Sequence, residues 1–274
     1  MCDTCGCSSK IPATLTRLKA NSSVAASAIE SSAPPAIHPV TVVEQDKRVA
    51  LSESLLSAND RIAAHNREHF RRQGILALNL ISAPGSGKTT LLENTLRALM
   101  KQVPCAVIEG DQATTNDAER IGATGCPVVQ VNTGSGCHLE ANMVHEACHQ
   151  LILEKGAVVF IENVGNLVCP SLFDLGEACK VALLSVTEGD DKPMKYPHIF
   201  RASDLVIINK CDLLPYVSFD LDRCIASIQQ LNSTARIVTL SATQPETLVP
   251  WLEVLGEMRV ACSAQQSLTA TKEN

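Results

Sequence analysis

Three groups of residues in this sequence have the types and spacing that metal or phosphate chemistry requires, and the first is a cysteine-dense N-terminus. Cys2, Cys5 and Cys7 lie within the first seven residues, and Gly6 permits a tight turn between the last two. Three thiolates with a backbone or terminal nitrogen suit tetrahedral Zn²⁺ or planar Ni²⁺. Zn²⁺ is the commoner occupant of such a set, whereas an iron–sulfur cluster would lack its fourth cysteine. The alternative is a tail whose thiols bind nothing.

The second group combines one imidazole with two thiols. Cys137 and His138 follow a Gly-Ser-Gly turn, and Cys169 lies in a later loop. The set is an incomplete tetrahedral metal site, which water or the same residues of a second subunit would complete. Each residue alone is more often structural, and the adjacency of Cys137 and His138 favours a metal. His145 and His149 recur with i, i+4 spacing and rank below this trio.

The third group is a phosphate-binding loop between an apolar strand and a helix. It consists of Ala83, Pro84, Gly85, Ser86, Gly87, Lys88, Thr89 and Thr90. Backbone N–H groups of such a loop point at phosphates, and glycine lets the backbone approach them. Lys88 would reach the β- and γ-phosphates, and the Thr89 hydroxyl would hold Mg²⁺. The consensus has glycine where this chain has Ser82, but the hydrogen-bonding part of the loop is intact.

A second strand terminus identifies the base. The run from Asn209 to Asp212 follows a buried strand, and a carboxylate at Asp212 accepts two hydrogen bonds from guanine that adenine cannot donate. The Lys210 stem would cover the base and the Asn209 amide would brace the loops. Ser241 and Ala242 occupy the position of a guanine-contacting loop. The pattern predicts GTP or GDP rather than ATP.

Two further strand ends supply candidate catalytic and magnesium-binding groups. Glu162 closes an apolar strand, where a carboxylate typically holds Mg²⁺, and Gly165 can bond the γ-phosphate. Asp111 follows another strand and would orient water or a magnesium-bound water. Its alternative role is to cap the helix that begins near Thr115. The predicted catalytic residues are therefore Lys88, Asp111 and Glu162, and the predicted magnesium ligands are Thr89, Asp111 and Glu162.

Alternating strands and helices must position these groups. Strands are predicted at 76–82, 105–109, 128–131, 157–162, 181–186, 205–209 and 237–240. Helices are predicted at 48–72, 89–101, 139–154 and 221–231. This alternation indicates an α/β P-loop fold, a mostly parallel sheet of about seven strands with helices on both faces. We predict a cysteine-rich tip (1–7), a flexible linker (8–45), a GTPase domain with an N-terminal helix (46–262) and a disordered tail (263–274). The N-terminal helix either packs on the domain or docks a partner.

Composition excludes several classes of protein. The chain has 274 residues, a formal net charge of −6 and 12 cysteines. The negative charge argues against nucleic acid or a membrane as partner. No apolar run is long enough to span a bilayer, and no secretory signal is present. In a reducing compartment, clustered cysteines indicate metal or redox sites rather than disulfides. We expect a cytoplasmic protein.

Together, segments 2–7, 82–90, 110–112, 136–138 and 162–170 resemble the HypB family, the nickel-incorporation GTPases of nickel–iron hydrogenase maturation. The resemblance covers about residues 74–255 and the cysteine-rich tip. It implies a GTPase fold of the SIMIBI type, a tight nickel site at Cys2, Cys5 and Cys7, and a weaker nickel or zinc site at Cys137 and His138 with Cys169.

The resemblance also implies a set of partners. These are a second copy of the chain in a GTP-dependent homodimer, a nickel metallochaperone of the HypA type and the hydrogenase large-subunit precursor. Some members store nickel in a long histidine-rich stretch, but residues 8–45 contain only His38. Two alternatives remain open: a GTPase chaperone for another metalloenzyme, such as urease or a cobalamin mutase, and a metal-storage protein.

Overall fold

A single sheet of eight strands forms the centre of the fold, in a computed structural model that describes residues 14–17, 42–112 and 114–270. In chain order the strands are β1 (Thr14–Arg17), β2 (Leu76–Ser82), β3 (Cys105–Asp111), β4 (Val128–Asn132), β5 (Val158–Glu162), β6 (Cys179–Ser185), β7 (Leu205–Asn209) and β8 (Arg236–Thr239). Their order across the sheet is β1-β4-β3-β5-β2-β6-β7-β8. Strands β2 to β8 pair in parallel, and β1 pairs antiparallel with β4. The three N-terminal cysteines lie outside the described residues.

Helices cover both faces of this sheet. They are α1 (Val42–Gln73), α2 (Lys88–Leu99), α3 (Asn116–Gly122), α4 (Ala141–Gln150), α5 (Cys169–Leu172), α6 (Lys192–Lys195), α7 (Pro197–Ala202), α8 (Leu221–Leu231) and α9 (Val249–Ala270). Short 3-10 turns cover Val186–Glu188, Cys211–Tyr216 and Pro245–Leu248. None of the described helices is long and apolar enough to cross a membrane.

The strands form because they are almost continuous runs of Val, Ile, Leu and Ala, as a sheet buried on both faces requires. All seven residues of β2 and all five of β5 and β7 are buried. Trp251 of α9 is fully buried in one of the three apolar clusters, and its indole N–H donates to the Thr95 hydroxyl of α2 at 2.8 Å. The predicted α/β P-loop fold with its parallel sheet is confirmed, and β2, β7 and α8 have the predicted bounds.

The eighth strand was not predicted, because 8–45 was expected to be a linker without regular structure. Thr14–Arg17 instead extends the sheet beyond β4, with Thr14 opposite Asn132 and Arg17 opposite Val129. Its physical basis is the edge of β4, whose backbone N–H and C=O groups would otherwise have no strand to pair with. The flexible-linker prediction is therefore wrong for these four residues.

The two long terminal helices also differ from expectation. α1 begins at Val42, before the predicted domain boundary, and packs against α4 and α9. Its buried face includes Asn59 and Asn66, whereas Leu55 is 51% exposed. The predicted disordered tail from residue 263 is wrong as far as Ala270, since α9 continues without Gly or Pro beyond Gly256. Cys262 anchors α9 to the Ile75 carbonyl at 3.5 Å.

Candidate functional site: a nucleotide cleft beside a Cys-His-Cys cluster

The phosphate loop turns directly from β2 into α2. Gly85 and Gly87 have φ angles of 75° and 100°, which glycine adopts without the strain other residues would incur. A Cβ at Gly87 would lie 2.6 Å from the Asn209 side-chain nitrogen. This glycine therefore lets the loop approach the end of β7, and the amide N–H of Asn209 donates to the Ser86 carbonyl at 2.8 Å.

Ser82, the departure from the loop consensus, has a structural role. It is fully buried, and its Oγ accepts a hydrogen bond from Lys88 Nζ at 2.9 Å. The ammonium group is thus held at the floor of the loop, beside the space where phosphates bind in such loops. Ser82 supplies a hydroxyl that glycine at this position would lack.

Thr89 and Glu162 form the predicted magnesium pair. The Thr89 hydroxyl donates to Glu162 Oε1 at 2.8 Å, and Glu162 Oε2 is buried without a hydrogen-bond partner. Burial raises the pKa of Glu162 to about 7, against the lowering effect of Lys88. A buried carboxylate oxygen with unused lone pairs beside a hydroxyl is a suitable oxygen donor set for Mg²⁺. The residues therefore fit the ion.

Glu109 was not predicted as a site residue. It lies on β3 directly opposite Glu162 of β5, and its Oε2 is likewise buried without a partner. Burial, followed by repulsion from Glu162, raises the pKa of Glu109 to about 9. Glu109 is therefore protonated at neutral pH, which leaves Glu162 as the better of the two carboxylates for a cation.

The cleft between these strand ends has a volume of about 480 Å³ and is lined by Glu109, Glu162 and the phosphate loop. Asp111 also lines it, but its carboxylate accepts hydrogen bonds from the backbone N–H groups of Gln112 and Thr114 at 2.7 and 3.0 Å. These bonds stabilise the turn before α3, but Asp111 does not cap the helix, whose N-cap residue Thr115 has no side-chain capping bond. Whether Asp111 also binds magnesium or water stays a prediction.

Arg120 is a second cleft residue that the sequence did not single out. Its guanidinium donates to Glu93 and to the Thr90 hydroxyl of the phosphate loop at 2.6 and 3.0 Å. A cation at this position is suited to anionic phosphate oxygens. No sequence motif marks it, since it lies in mid-helix on α3.

The base end of the cleft is braced by side-chain and backbone hydrogen bonds. Asn209 Oδ1 accepts from the Ala242 N–H at 2.9 Å, and Ser241 Oγ accepts from the Asp212 N–H at 2.8 Å. Lys210 has a φ of 61°, and its Nζ donates to the Gly85 carbonyl at 2.7 Å. The Asp212 carboxylate is exposed. All five residues predicted for guanine recognition therefore lie where two loops meet.

The predicted metal trio comes together in space. The ligand atoms of Cys137, His138 and Cys169 all lie within 4.8 Å of one another, and the two thiols are buried. The His138 ring stacks on Phe173, with centroids 3.9 Å apart. Burial lowers the pKa of His138 to about 4, so the imidazole is neutral, as a metal ligand must be. His138 Nε2 is buried and makes no hydrogen bond.

Comparison with known proteins identifies the family of this chain. The profile of the CobW/HypB/UreG nucleotide-binding domain matches residues 76–239. Hydrogenase maturation factor HypB of Escherichia coli is 53% identical over 219 residues, which cover 80% of this chain and 76% of the relative. The chain belongs to the HypB family.

Relatives from Helicobacter pylori extend the comparison to structure. The hydrogenase/urease maturation factor HypB of that organism is 42% identical over 217 residues. These residues cover 78% of this chain and 89% of the relative. The crystal structure of HypB from Helicobacter pylori in complex with nickel has a TM-score of 0.71 and 41% identity, covering 74% of this chain and 96% of that one. The family nucleotide-binding fold and a nickel-binding relative are thus both established.

In this HypB-family chain the Cys137-His138-Cys169 trio and the nucleotide cleft are connected by a hydrogen bond and a packing contact. The side chain of Asn163, next to Glu162, accepts hydrogen bonds from the N–H groups of Leu139 and Val164 at 3.1 and 3.0 Å. Leu139 follows His138 directly and packs on Gly110, where a Cβ would lie 2.8 Å from Leu139 Cγ. Sequence reasoning missed Asn163 because its partner is distant along the chain.

Proposed function

We propose that this protein is a GTP-hydrolysing nickel metallochaperone that delivers Ni²⁺ to a nickel–iron hydrogenase during maturation, in the cytoplasm. The observation that supports this proposal best is the Cys137-His138-Cys169 trio beside the nucleotide cleft. The family membership and the nickel-bound relative support it further. Nickel is the cargo in this proposal and GTP is the substrate.

Nucleotide binding begins with a change of partner for Lys88. Its ammonium group leaves Ser82 Oγ for the β- and γ-phosphates, where a charge-assisted contact is stronger than a bond to a hydroxyl. The Asp212 carboxylate accepts the guanine N–H groups, with the Lys210 stem over the base. Backbone N–H groups of the phosphate loop and Gly165 contact the phosphates.

Magnesium would be held by Thr89 and Glu162, whose side chains already share a hydrogen bond. When bound, it neutralises charge on the phosphate oxygens. Glu162 supplies the carboxylate. Its neighbour Glu109 is protonated and therefore adds no second negative charge to the cleft. Asp111 is the candidate for orienting the attacking water, through the turn that it stabilises.

Metal and nucleotide are coupled through the segment that follows β5. It includes Asn163, which bonds the residue after His138, then Gly165 at the γ-phosphate, and then Cys169 of the trio. A Cβ at Gly165 would lie 3.1 Å from Pro84 of the phosphate loop, so the segment packs closely against that loop. Loss of the γ-phosphate would therefore shift the Cys169 thiol, as order–disorder switching does in other GTPases.

A GTP-dependent homodimer would complete the metal site. Three donors leave at least one position open on a four-coordinate ion, and a second copy can supply it across a two-fold axis. Val168 and Leu172 flank Cys169 and are 50% and 52% exposed, which suits a contact with another chain. Zn²⁺ is an alternative occupant. A nickel chaperone of the HypA type and the hydrogenase large-subunit precursor remain predicted partners.

The experiment is a nickel titration of a full-length variant in which Cys2, Cys5 and Cys7 are serine, bound either to GDP or to a non-hydrolysable GTP analogue. We expect the two nickel affinities to differ by about 1–3 kcal/mol, or about 5- to 150-fold, the usual range for coupled sites. By linkage, nickel should change the affinity for the analogue relative to GDP by the same factor.

Two cysteine variants separate coupling from general damage. Cys169→Ala should abolish nickel binding at the trio, whereas Cys224→Ala, at a buried cysteine of α8 outside the cleft, should leave it unchanged. Equal nickel affinities in the two nucleotide states would refute the coupling. If the variant without the three N-terminal cysteines still hydrolyses GTP, the tip would bind metal independently of the GTPase domain.

The client enzyme is a separate matter, since the relative from Helicobacter pylori is named a hydrogenase/urease maturation factor. Maturation of urease is therefore a second candidate for this chain. It would be tested by whether a deletion strain loses hydrogenase or urease activity. A pure metal-storage role is disfavoured by the intact Lys88, Thr89 and Asp212, and measured GTP hydrolysis would exclude it.

A further inference from the structure

Four of the chain's seven histidines gather where α1 packs on α4, away from the trio's ligand set. His65 and His69 are on α1, and His145 and His149 are on α4. The His145 ring lies 5.2 Å from that of His65 and 4.6 Å from that of His149, centroid to centroid. Nothing in the nucleotide cleft or at the Cys137-His138-Cys169 trio uses these imidazoles.

The tautomer of His145 is determined by a buried asparagine. Asn66 donates through Nδ2 to the Ala141 and Leu175 carbonyls at 2.8 and 3.1 Å, so its amide cannot be flipped without losing both bonds. Its Oδ1 faces His145 Nδ1 at 3.1 Å and can only accept. In the neutral imidazole the proton is therefore on Nδ1, and Nε2 carries a lone pair.

The nitrogen that carries this lone pair lies close to another imidazole nitrogen. His145 Nε2 and His149 Nε2 are 3.1 Å apart. Two imidazole nitrogens bound at about 2.0–2.1 Å to one ion lie about 2.9–3.4 Å apart for bond angles of about 90–110°. The pair therefore already has the spacing of two ligands of a planar or tetrahedral ion. The other interpretation is a hydrogen bond between neutral rings.

The surroundings also favour a metal over a buried structural pair. His149 and His65 are exposed, so an ion can enter from solvent, and His145 is half-buried. Burial, followed by repulsion from His149 and His65, lowers the pKa of His145, which favours its neutral form. Its bond to the Asn66 carbonyl is the outer-shell contact that metal-binding histidines commonly make.

We propose that His145 and His149 form a second metal site on the domain for a divalent ion that prefers imidazole, such as Ni²⁺, with water in the remaining positions. Nitrogen donors of this kind suit nickel, copper and zinc. The site itself rests on the helix geometry, and only the choice of nickel rests on the proposed function. α4 begins three residues after His138, so an ion held here would lie on the helix that follows Cys137 and His138 in the chain.

The test is equilibrium dialysis of Ni²⁺ against the full-length chain with Cys2, Cys5, Cys7, Cys137 and Cys169 changed to serine. We expect about one nickel ion per chain to remain bound. Because loss of an outer-shell contact alone weakens metal sites about 10- to 100-fold, His149→Ala in this background should weaken binding by at least about 100-fold. His198→Ala, at an exposed histidine on α7, is the matched control and should have no effect.

A second measurement covers the case in which the serine background does not fold. In the parent chain, His149→Ala should lower the total bound nickel by one equivalent and His198→Ala should not. Equal nickel binding by the two variants would overturn the proposal and leave only a hydrogen bond between neutral histidines. The dialysis experiment uses a chain without the two cysteines of the trio. Absence of bound nickel in that experiment would therefore say nothing about the proposed coupling of nickel and GTP.

Discussion

The two ends of the nucleotide cleft differ in how their polar groups are satisfied. At the base end, Asn209 bonds both the Ser86 carbonyl and the Ala242 N–H, and Ser241 bonds the Asp212 N–H. At the other end, Glu109 and Glu162 each retain a buried oxygen without a hydrogen bond, and the neighbouring trio residue His138 retains a buried nitrogen without one. Within the described residues only five buried side-chain atoms are of this kind, so three of them fall in one neighbourhood.

The difference fits the proposed function, in which one end binds guanine and the other binds a cation. Recognition of guanine requires fixed donors and acceptors, which internal hydrogen bonds hold in place before the base arrives. Recognition of a cation requires lone pairs that no protein proton occupies, and leaving them buried costs about 1–3 kcal/mol each. On this interpretation the base end is preorganised, and Glu162 and His138 keep the unsatisfied atoms that a cation would stabilise, whereas Glu109 carries a proton.

The largest effect is expected at the preorganised end, from Asp212→Asn. The amide would replace one acceptor by a donor and face the guanine N–H groups with its own. We expect GTP affinity to fall by on the order of 3 kcal/mol, and xanthosine triphosphate to bind in its place. Calorimetric titration with both nucleotides measures this change.

The matched control is Asp222→Asn, at an exposed acid on α8, which should bind GTP as the parent does. An Asp212→Asn variant with parental GTP affinity would remove Asp212 from the base site.

The same contrast explains what the sequence could predict. The base end is encoded in short contiguous runs after a strand, so Asn209, Lys210 and Asp212 were identified from spacing alone. The phosphate loop was predictable for the same reason, and so was the trio, because Cys137 and His138 are adjacent. Parallel strands then place the ends of β2, β5 and β7 at one edge of the sheet, as the fold class implies.

The missed residues depend on strand order and on long-range partners. Glu109 acquires its raised pKa only because β3 lies beside β5, which no local pattern specifies. Asn163 and Leu139 are 24 residues apart. β1 was missed because four residues with a single apolar side chain carry too little periodicity to predict a strand. In each case tertiary contacts decide what local propensity leaves open.

An intermediate effect is expected from Asn163→Ala, because Asn163 lies between the nucleotide cleft and the Cys137-His138-Cys169 trio. It removes the acceptor for the Leu139 N–H and so the hydrogen bond between the γ-phosphate segment and the residue after His138. We expect the ratio of nickel affinities with GTP analogue and GDP to approach one, a loss of about 1–2 kcal/mol of coupling. The nickel titration described above measures it.

Asn79→Ala is the control for general loss of a buried amide. Asn79 accepts from the Asn163 amide at 3.2 Å and donates to Glu177 at 3.1 Å, but it does not touch Leu139. It should lower thermal stability as Asn163→Ala does, yet retain the coupling. If both variants lose coupling equally, the Leu139 bond is not the connection.

The smallest effect is expected at Ser82, where the free protein and the nucleotide complex differ by one hydrogen bond. In the free protein Ser82 Oγ accepts from Lys88 Nζ at 2.9 Å, and Lys88 exchanges this partner for phosphate on binding. Ser82→Ala should therefore destabilise the free protein by about 1 kcal/mol, the usual net value of such a bond. The complex should lose almost nothing, so GDP affinity should rise by up to about fivefold.

Thermal unfolding with and without GDP, together with a GDP titration, separates these two quantities. The control is Ser203→Ala, at a serine that is equally buried but bonds the Ile199 carbonyl outside the cleft. It should lower the stability of the free and bound protein alike and leave GDP affinity unchanged. Weaker GDP binding by Ser82→Ala would mean that the Ser82 hydroxyl stays in contact with Lys88 or phosphate in the complex. The hydroxyl would then belong to the preorganised part of the cleft rather than to a contact that nucleotide binding breaks.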